Sequence, residues 1–370
     1  MDRFHFLRDF PTDYFEARER FCESAKAIGA KLFRYPIAVD QSLSIDVATL
    51  DTNASRQRLV VSSGVHGVEG PLGSAIQLSM MRMLLQEELP SDLGYTLIHA
   101  VNPFGYAHHR RWNEENVDLN RNFKCSSNTY SGCPAGYKDF ESVLNPRTAP
   151  SRLEPFRVKA FWNIALHGVQ AIKEAVATGQ YEFPQGLFYG GQAECFSSRV
   201  IRENLRNWLS ESNEVVHLDV HTGLGRFADY RLLLEYPADA PAATWFRDLF
   251  GRPIVEDGGS HPTSYDARGT FGRWAMSHLA SLDYRFATVE VGTHPIVRVL
   301  AALRAENRAH HYGTPRSDVE WARQELRECF CPASPKWRRK VLNDQLEVVQ
   351  RCAQHLKQGI GNRSEAVGSC

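Results

Sequence analysis

The segment Val61-Ser62-Ser63-Gly64-Val65-His66-Gly67-Val68-Glu69-Gly70-Pro71 decides how the chain is read. Ahead of it, Arg58-Leu59-Val60-Val61 is short, apolar and β-branched, the pattern of a buried strand. Behind it, Pro71 to about Leu85 predicts a helix, with proline in a first turn that needs no amide donor. A glycine-rich turn between them carries His66 and Glu69. An imidazole and a carboxylate three residues apart at a strand-to-helix turn can close on one metal ion. Nitrogen and oxygen donors suit zinc, which does chemistry with three protein ligands and one open position. Taken alone, HxxE also reads as an ordinary polar turn, because short motifs recur by chance. The decision therefore rests on what the rest of the chain supplies.

Outward from this turn, strand and helix patterns alternate. Tyr95 to Val101 predicts a second buried strand, ending at Asn102-Pro103-Phe104-Gly105, and strand–helix–strand is the signature of a sheet covered by helices. Toward the N-terminus, Thr12 to Ile28 has apolar residues at helical spacing and closes at Gly29. Leu32 to Val39 and Leu43 to Leu50 read as a hairpin turning at Asp40-Gln41. Further along, strands are expected at Val215–His221, Arg231–Tyr236 and Asp283–Val291. Helices are expected at Phe156–Ala177, Ser197–Leu209, Ile296–His311, Ser317–Cys329 and Ser334–Leu356, the third with Thr293 as N-cap and Pro295 early in the helix. Residues 123–155 read as an irregular surface insertion. Gly179 to Gly191, rich in glycine, proline and aromatics, suits either a cleft wall or hydrophobic padding. The domain reading is one catalytic domain over 1–315, a helical C-terminal extension over 316–358 and a disordered tail over 359–370.

Composition narrows the class. The 370 residues carry 43 basic and 43 acidic side chains, so no net charge argues for a nucleic-acid or membrane-surface partner. A hydrophobic content of 43% supports a sizeable core. The first residues lack the apolar run of a signal peptide, and no stretch approaches the ~18 apolar residues of a spanning helix. A cytoplasmic location is the expectation. The 8 cysteines are scattered without a CxxC pair, which argues against a zinc ribbon and for free thiols in a reducing compartment. Oligomeric state is not legible.

Four clusters fall where strands end, the place where ligands gather in α/β sheets. They are His66 with Glu69; Asn102 through Arg110-Arg111 to Asp118-Leu119-Asn120-Arg121-Asn122-Phe123; Asp219-Val220-His221-Thr222-Gly223; and Thr288-Val289-Glu290-Val291-Gly292. His66, Glu69 and His221 make a two-histidine, one-carboxylate set with room for water, whose pKa zinc lowers while polarising a carbonyl. Glu290 can take the water's proton and pass it to a leaving nitrogen. Arg111 can stabilise an oxyanion. Asn120 and Arg121 can bind a substrate carboxylate, and Asp118 can orient a ligating histidine.

This combination resembles the zinc carboxypeptidases of the M14 type. The matching pieces are HGVEG, NPFG…RRWNEENVDLNRNF, DVHTG and TVEVG, in family order from Leu59 to Gly292. GQYEFPQGLFYGG is similar to the bacterial branch known as DUF2817, related to the succinylglutamate desuccinylase/aspartoacylase group. The resemblance implies an α/β fold with a mixed central sheet of about eight strands flanked by helices. It also implies one zinc per chain on His66, Glu69 and His221, with Glu290 as general base and acid. For the carbonyl-polarising arginine, Arg110 and Arg111 compete, and spacing from DLNR favours Arg111. Tyr265, opening Tyr265-Asp266-Ala267-Arg268-Gly269, is similar in order to the family's mobile tyrosine, which puts a specificity-pocket floor near Phe271 to Arg273.

Other histidines have plainer readings. His108 and His109 read as solvent-facing neighbours of the arginines, His217 as a packed core histidine and Asp219 as an orienting group. The leading function is a zinc-dependent hydrolase cleaving an amide next to a free carboxylate, acting on a small peptide. A deacylase of N-acyl amino acids or small-molecule amidohydrolase of the aspartoacylase type competes with it. A non-catalytic binding protein on a peptidase fold is the reading of another class.

Overall fold

Strand β3 (Gln57–Ser63) and strand β5 (Glu214–Thr222) lie side by side in the middle of an eight-stranded sheet, and every residue of both is buried. The computed structural model describes residues 8–51, 56–124, 130–154, 156, 178–256, 269–313 and 316–367. The other strands are β1 (Lys31–Pro36), β2 (Ser44–Leu50), β4 (Gly94–His99), β6 (Tyr230–Leu233), β7 (Val255–Glu256) and β8 (Asp283–Val291). Their order across the sheet is β1-β2-β4-β3-β5-β8-β6-β7. The central strands β4, β3, β5 and β8 run parallel; β1, β2 and β6 bring antiparallel pairings, which makes the sheet mixed. Strands buried on both faces need helices on both faces, and both are supplied.

Alternation along β5 sorts its side chains between two cores. Val216, Leu218 and Val220 pack with the helix Gly70–Leu85, the helix Pro241–Phe250 and the last helix, Pro335–Val367. Val215, by contrast, joins a core with the helices Phe196–Trp208 and Phe271–His278. His217, Asp219 and His221 share the parity of Val215, so β5 delivers its polar residues to that second face. Trp337, Val341, Val349 and Leu356 belong to the first core, so the last helix is part of its packing. Among the described residues, no helix is long and apolar enough to cross a membrane.

Several expectations shift in detail. The helix Ile296–Tyr312 begins one residue after Pro295, which is itself the N-cap with φ −54° and ψ 138°. Thr293 instead turns its hydroxyl to the Gly223 carbonyl at 3.4 Å. The stretch 123–155 contains the helix Ala135–Leu144, whose Tyr137, Phe140 and Leu144 are buried. The last helix runs on to Val367, through most of the segment read as a disordered tail. The helices Pro241–Phe250 and Phe271–His278 had no counterpart in the sequence reading. The helix expected at Phe156–Ala177 lies, after its first residue, outside the described residues.

Candidate metal centre

The turn after β3 is shaped by two glycines. Gly64 takes φ +68°, in the left-handed region that side chains disfavour. Gly67 presses so close to Gly105 that a Cβ there would stand 2.1 Å from the Gly105 carbonyl carbon. This contact lets the Gly67 and Val68 amides donate to the Arg111 and Arg110 carbonyls at 3.2 and 2.8 Å. The HxxE turn and the arginine segment are thereby fixed to one another. A 3-10 turn, Gly67–Glu69, then swings Glu69 back beneath His66.

The three predicted ligands converge. His66 Nδ1 lies 2.9 Å from Glu69 Oε1 and 3.2 Å from His221 Nδ1, and His221 Nδ1 lies 3.1 Å from Glu69 Oε2. Tetrahedral zinc with bonds of about 2.0–2.1 Å would separate its ligands by about 3.3 Å, close to what these three donors already adopt. The outer nitrogens are committed elsewhere: His66 Nε2 to Asp118 Oδ1 at 3.0 Å, and His221 Nε2 to Asp219 Oδ2 at 2.6 Å. Each outer nitrogen donates its proton to a carboxylate; without a cation His221 Nδ1 also donates to Glu69, whereas an ion held between the three groups would take the inner lone pairs in place of that proton. Three lone-pair donors facing one another at such distances suit a cation between them, and carboxylate–histidine pairs are the usual support of a metal site.

Charge follows the same geometry. Burial works to raise the Glu69 carboxyl, but His66 and His221 outweigh it and hold it below its ordinary range. Burial disfavours charge on His221, yet Asp219 and Glu69 push its pKa well above normal. Glu290 sits opposite His221 in the register of β5 and β8. Burial, and next the negative charge of Glu69, raise Glu290 to about 7. Its Oε1 accepts from the Leu224 amide at 2.8 Å, which orients the carboxyl at the C-terminal end of β8.

The two neighbouring arginines take different partners. Arg111 donates from Nε to Asp118 Oδ2 at 3.0 Å and from a terminal nitrogen to Glu69 Oε1 at 3.3 Å, with its guanidinium 5.6 Å from the Phe188 ring centre. Arg110 turns away into a buried ion pair with Glu306 at 2.8 Å and bonds Asn116 at 2.9 Å. Asn120 and Arg121 follow Asp118 on a 3-10 turn. The Asn120 side-chain oxygen accepts from the Phe271 amide at 2.9 Å, and the Arg121 stem runs beneath Gly179. Tyr265 lies outside the described residues.

The residues expected near a pocket floor, Phe271 to Arg273, open the helix Phe271–His278. Phe271 is fully buried in the second core, and Arg273, half-exposed, pairs with Glu235 at 3.3 Å. His108 and His109 are half-buried, not solvent-facing. Asp219, read from the sequence as an orienting group, bonds the outer nitrogen of His221. Its separation from His221 by two residues on one strand carried that signal. Ser62, which donates to Asp219 Oδ1 at 2.5 Å, was missed, because its proximity depends on the pairing of β3 with β5.

Sheet order, covering helices and a buried His–Glu–His cluster able to hold a metal ion define a mixed α/β protein with a candidate metal centre. Residues 10–344 match the family described as "Protein of unknown function (DUF2817)", and the chain belongs to that family. Its fold is similar to that of carboxypeptidase A from Helicoverpa armigera, with a TM-score of 0.51 and 16% identity over 89% of this chain and 75% of that one. It is also similar to bovine thrombin-activatable fibrinolysis inhibitor, solved in complex with tick carboxypeptidase inhibitor. There the TM-score is 0.53 and the identity 11%, over 95% of this chain and 99% of that one. No curated protein matches the chain.

Proposed function

We propose that this protein is a zinc-dependent hydrolase that cleaves an amide bond next to a free carboxylate. The observation that carries the reading is the convergence of His66 Nδ1, His221 Nδ1 and the Glu69 carboxylate beside Glu290. His66, Glu69 and His221 would hold one zinc ion, and the bound ion would supply a Lewis acid and a more acidic water. The residues of the chain supply the rest. Glu290, raised by burial, is matched to taking a proton from water near neutral pH and returning it to the leaving nitrogen. Arg111, adjoining the cluster, brings a fixed positive charge to the oxygen that becomes negative. Arg121 and Asn120 are the candidates for the substrate carboxylate, where a guanidinium fork fits two oxygens. Asp118 and Asp219 hold the two imidazoles by their outer nitrogens. Tyr265 is proposed as a further substrate contact on the strength of its sequence context alone.

The test is Glu290→Gln, assayed for metal content and for turnover together. The proposal expects zinc near one per chain in both proteins and activity reduced by at least about 10²-fold in the variant. Equal turnover of peptides and N-acyl amino acids by both proteins excludes it. A panel comparing release of C-terminal residues with cleavage of N-acyl amino acids separates the carboxypeptidase from the deacylase reaction. Wild-type protein without zinc, purified in the absence of chelator, would point instead to a binding protein on this fold.

A further inference from the structure

A buried hydrogen-bonded chain runs inward from His221 along the face of the sheet. Beyond Asp219, Ser62 Oγ lies 2.5 Å from Asp219 Oδ1 and 2.7 Å from His217 Nε2, and His217 Nδ1 meets the Tyr284 hydroxyl. The residues come from three neighbouring strands, and Ser62 and Asp219 are register partners. Ser62 and His217 are wholly buried, and Tyr284 nearly so. None of the roles proposed above uses Ser62, His217 or Tyr284.

The direction of every bond follows from donor counting. The Asp219 carboxylate only accepts, so the single Ser62 proton goes to it. Ser62 is then an acceptor for His217, whose proton must sit on Nε2. That leaves His217 Nδ1 bare, to accept from the Tyr284 hydroxyl. Edges of Phe271 and Phe286 close around the His217 ring, with centroids at 5.3 and 4.8 Å, so no water is needed to complete the chain. Each link thus presents one donor to one acceptor, from Tyr284 outward to the carboxylate that holds His221 Nε2–H.

We infer that Ser62, His217 and Tyr284 are positioning residues for His221, holding Asp219 as an acceptor so that the His221 Nδ1 lone pair is kept for the metal. The inference rests on the metal-site reading above. Loss of a link leaves a buried partner unsatisfied and lets the Asp219 carboxylate turn, which weakens the ligand without touching it.

The experiment measures zinc affinity by competition with a chromophoric chelator, on metal-free wild type, Ser62→Ala, Ser62→Thr, Tyr284→Phe and His217→Gln, alongside their melting curves. The expected result is a Kd weakened about 10-fold in Ser62→Ala, by the usual effect of outer partners, and by less in Tyr284→Phe. Ser62→Thr keeps the hydroxyl and His217→Gln keeps a donor near the Nε2 position, so both should stay nearer wild type. A purely structural role would lower melting temperature without moving Kd. Nitrogen-15 spectra of the metal-free protein supply a second readout, in which the His217 proton is expected on Nε2. Wild-type zinc binding with Ser62→Ala and Tyr284→Phe within twofold of it overturns the inference, as does a His217 proton on Nδ1. Absence of zinc binding by wild type itself sinks the metal-site reading, and the nitrogen spectra still decide the order of the chain.

Discussion

His221 and Glu290 face one another across adjacent parallel strands, the one a member of the buried His–Glu–His cluster and the other a carboxyl raised to about 7. Strand pairing sets this relationship: a slip of one residue in β8 would turn Glu290 to the opposite face.

The raised Glu290 carboxyl makes stability of the metal-free protein depend on pH. Its folded-state pKa of about 7 exceeds the ordinary 4.5, so between those values the folded chain holds more proton than the unfolded one. The contribution of the protonated group is present in full below about pH 4.5 and is lost as pH rises through 7. Glu290→Gln escapes this loss. It should equal wild type near pH 4.5 and exceed it at pH 8 by up to about 3 kcal/mol, the size of a shift of that extent. Urea titrations of both proteins at the two pH values provide the check; a gap that widens toward acid would contradict it.

Arg110 and Arg111 should fail in different ways. Arg111→Ala removes the guanidinium beside Glu69 and Asp118 and should lower kcat by about 10²–10³-fold, as loss of an oxyanion donor does. Arg110→Ala strands the buried Glu306 carboxylate and should destabilise the fold by about 3–5 kcal/mol. Steady-state kinetics and chemical denaturation on both variants distinguish the effects. A destabilised Arg111 variant with wild-type kcat would reverse the assignment.

Gly67→Ala tests the contact that fixes the ligand turn to the arginine segment. Its Cβ would collide with Gly105 backbone, which no rotamer change relieves. A loss of about 1–3 kcal/mol is expected from overpacking, together with weaker zinc binding. Unchanged stability and unchanged affinity would show that the turn accommodates the methyl group.

Metal removal should be visible in the melting curve. A ligand bound only by the folded state adds about 2.7 kcal/mol at 100 times its Kd. Stripping with chelator should lower Tm, and stoichiometric zinc should restore it. In His66→Ala and His221→Ala the zinc response should vanish. A response that persists in both would place the ion elsewhere.

Much of this arrangement was legible before any coordinates, and the reasons are physical. Strand β8 matches the expected Asp283–Val291 because its apolar run ends cleanly at Gly292. His66, Glu69, His221 and Glu290 were identifiable because each sits at or just past the end of a buried strand, where the pattern is strongest. The helix Phe271–His278 escaped notice because it spans barely two turns, contains Gly272 and lacks a side-chain cap. Its natural cap, Thr270, spends its hydroxyl on Glu235 at 2.8 Å. Local propensity also undercounts the last helix, which continues past Gly359 and Gly361. Spacing from DLNR favours Arg111, but the fate of Arg110 was not legible locally, because the buried partner that claims it, Glu306, lies 196 residues away.

The floor of the candidate metal site is tied down from far along the chain. Thr222, next to His221, gives its hydroxyl proton to the Phe330 carbonyl at 2.7 Å, and the Trp337 indole donates to the Gly292 carbonyl at 2.9 Å. During synthesis, His66, Glu69, His221 and Glu290 therefore all leave the ribosome before the residues that brace them. A growing chain halted ahead of Phe330 carries all four of these side chains yet lacks the clamps beneath two of the strands, so on the proposed reading tight metal binding is expected only once the C-terminal helices have emerged.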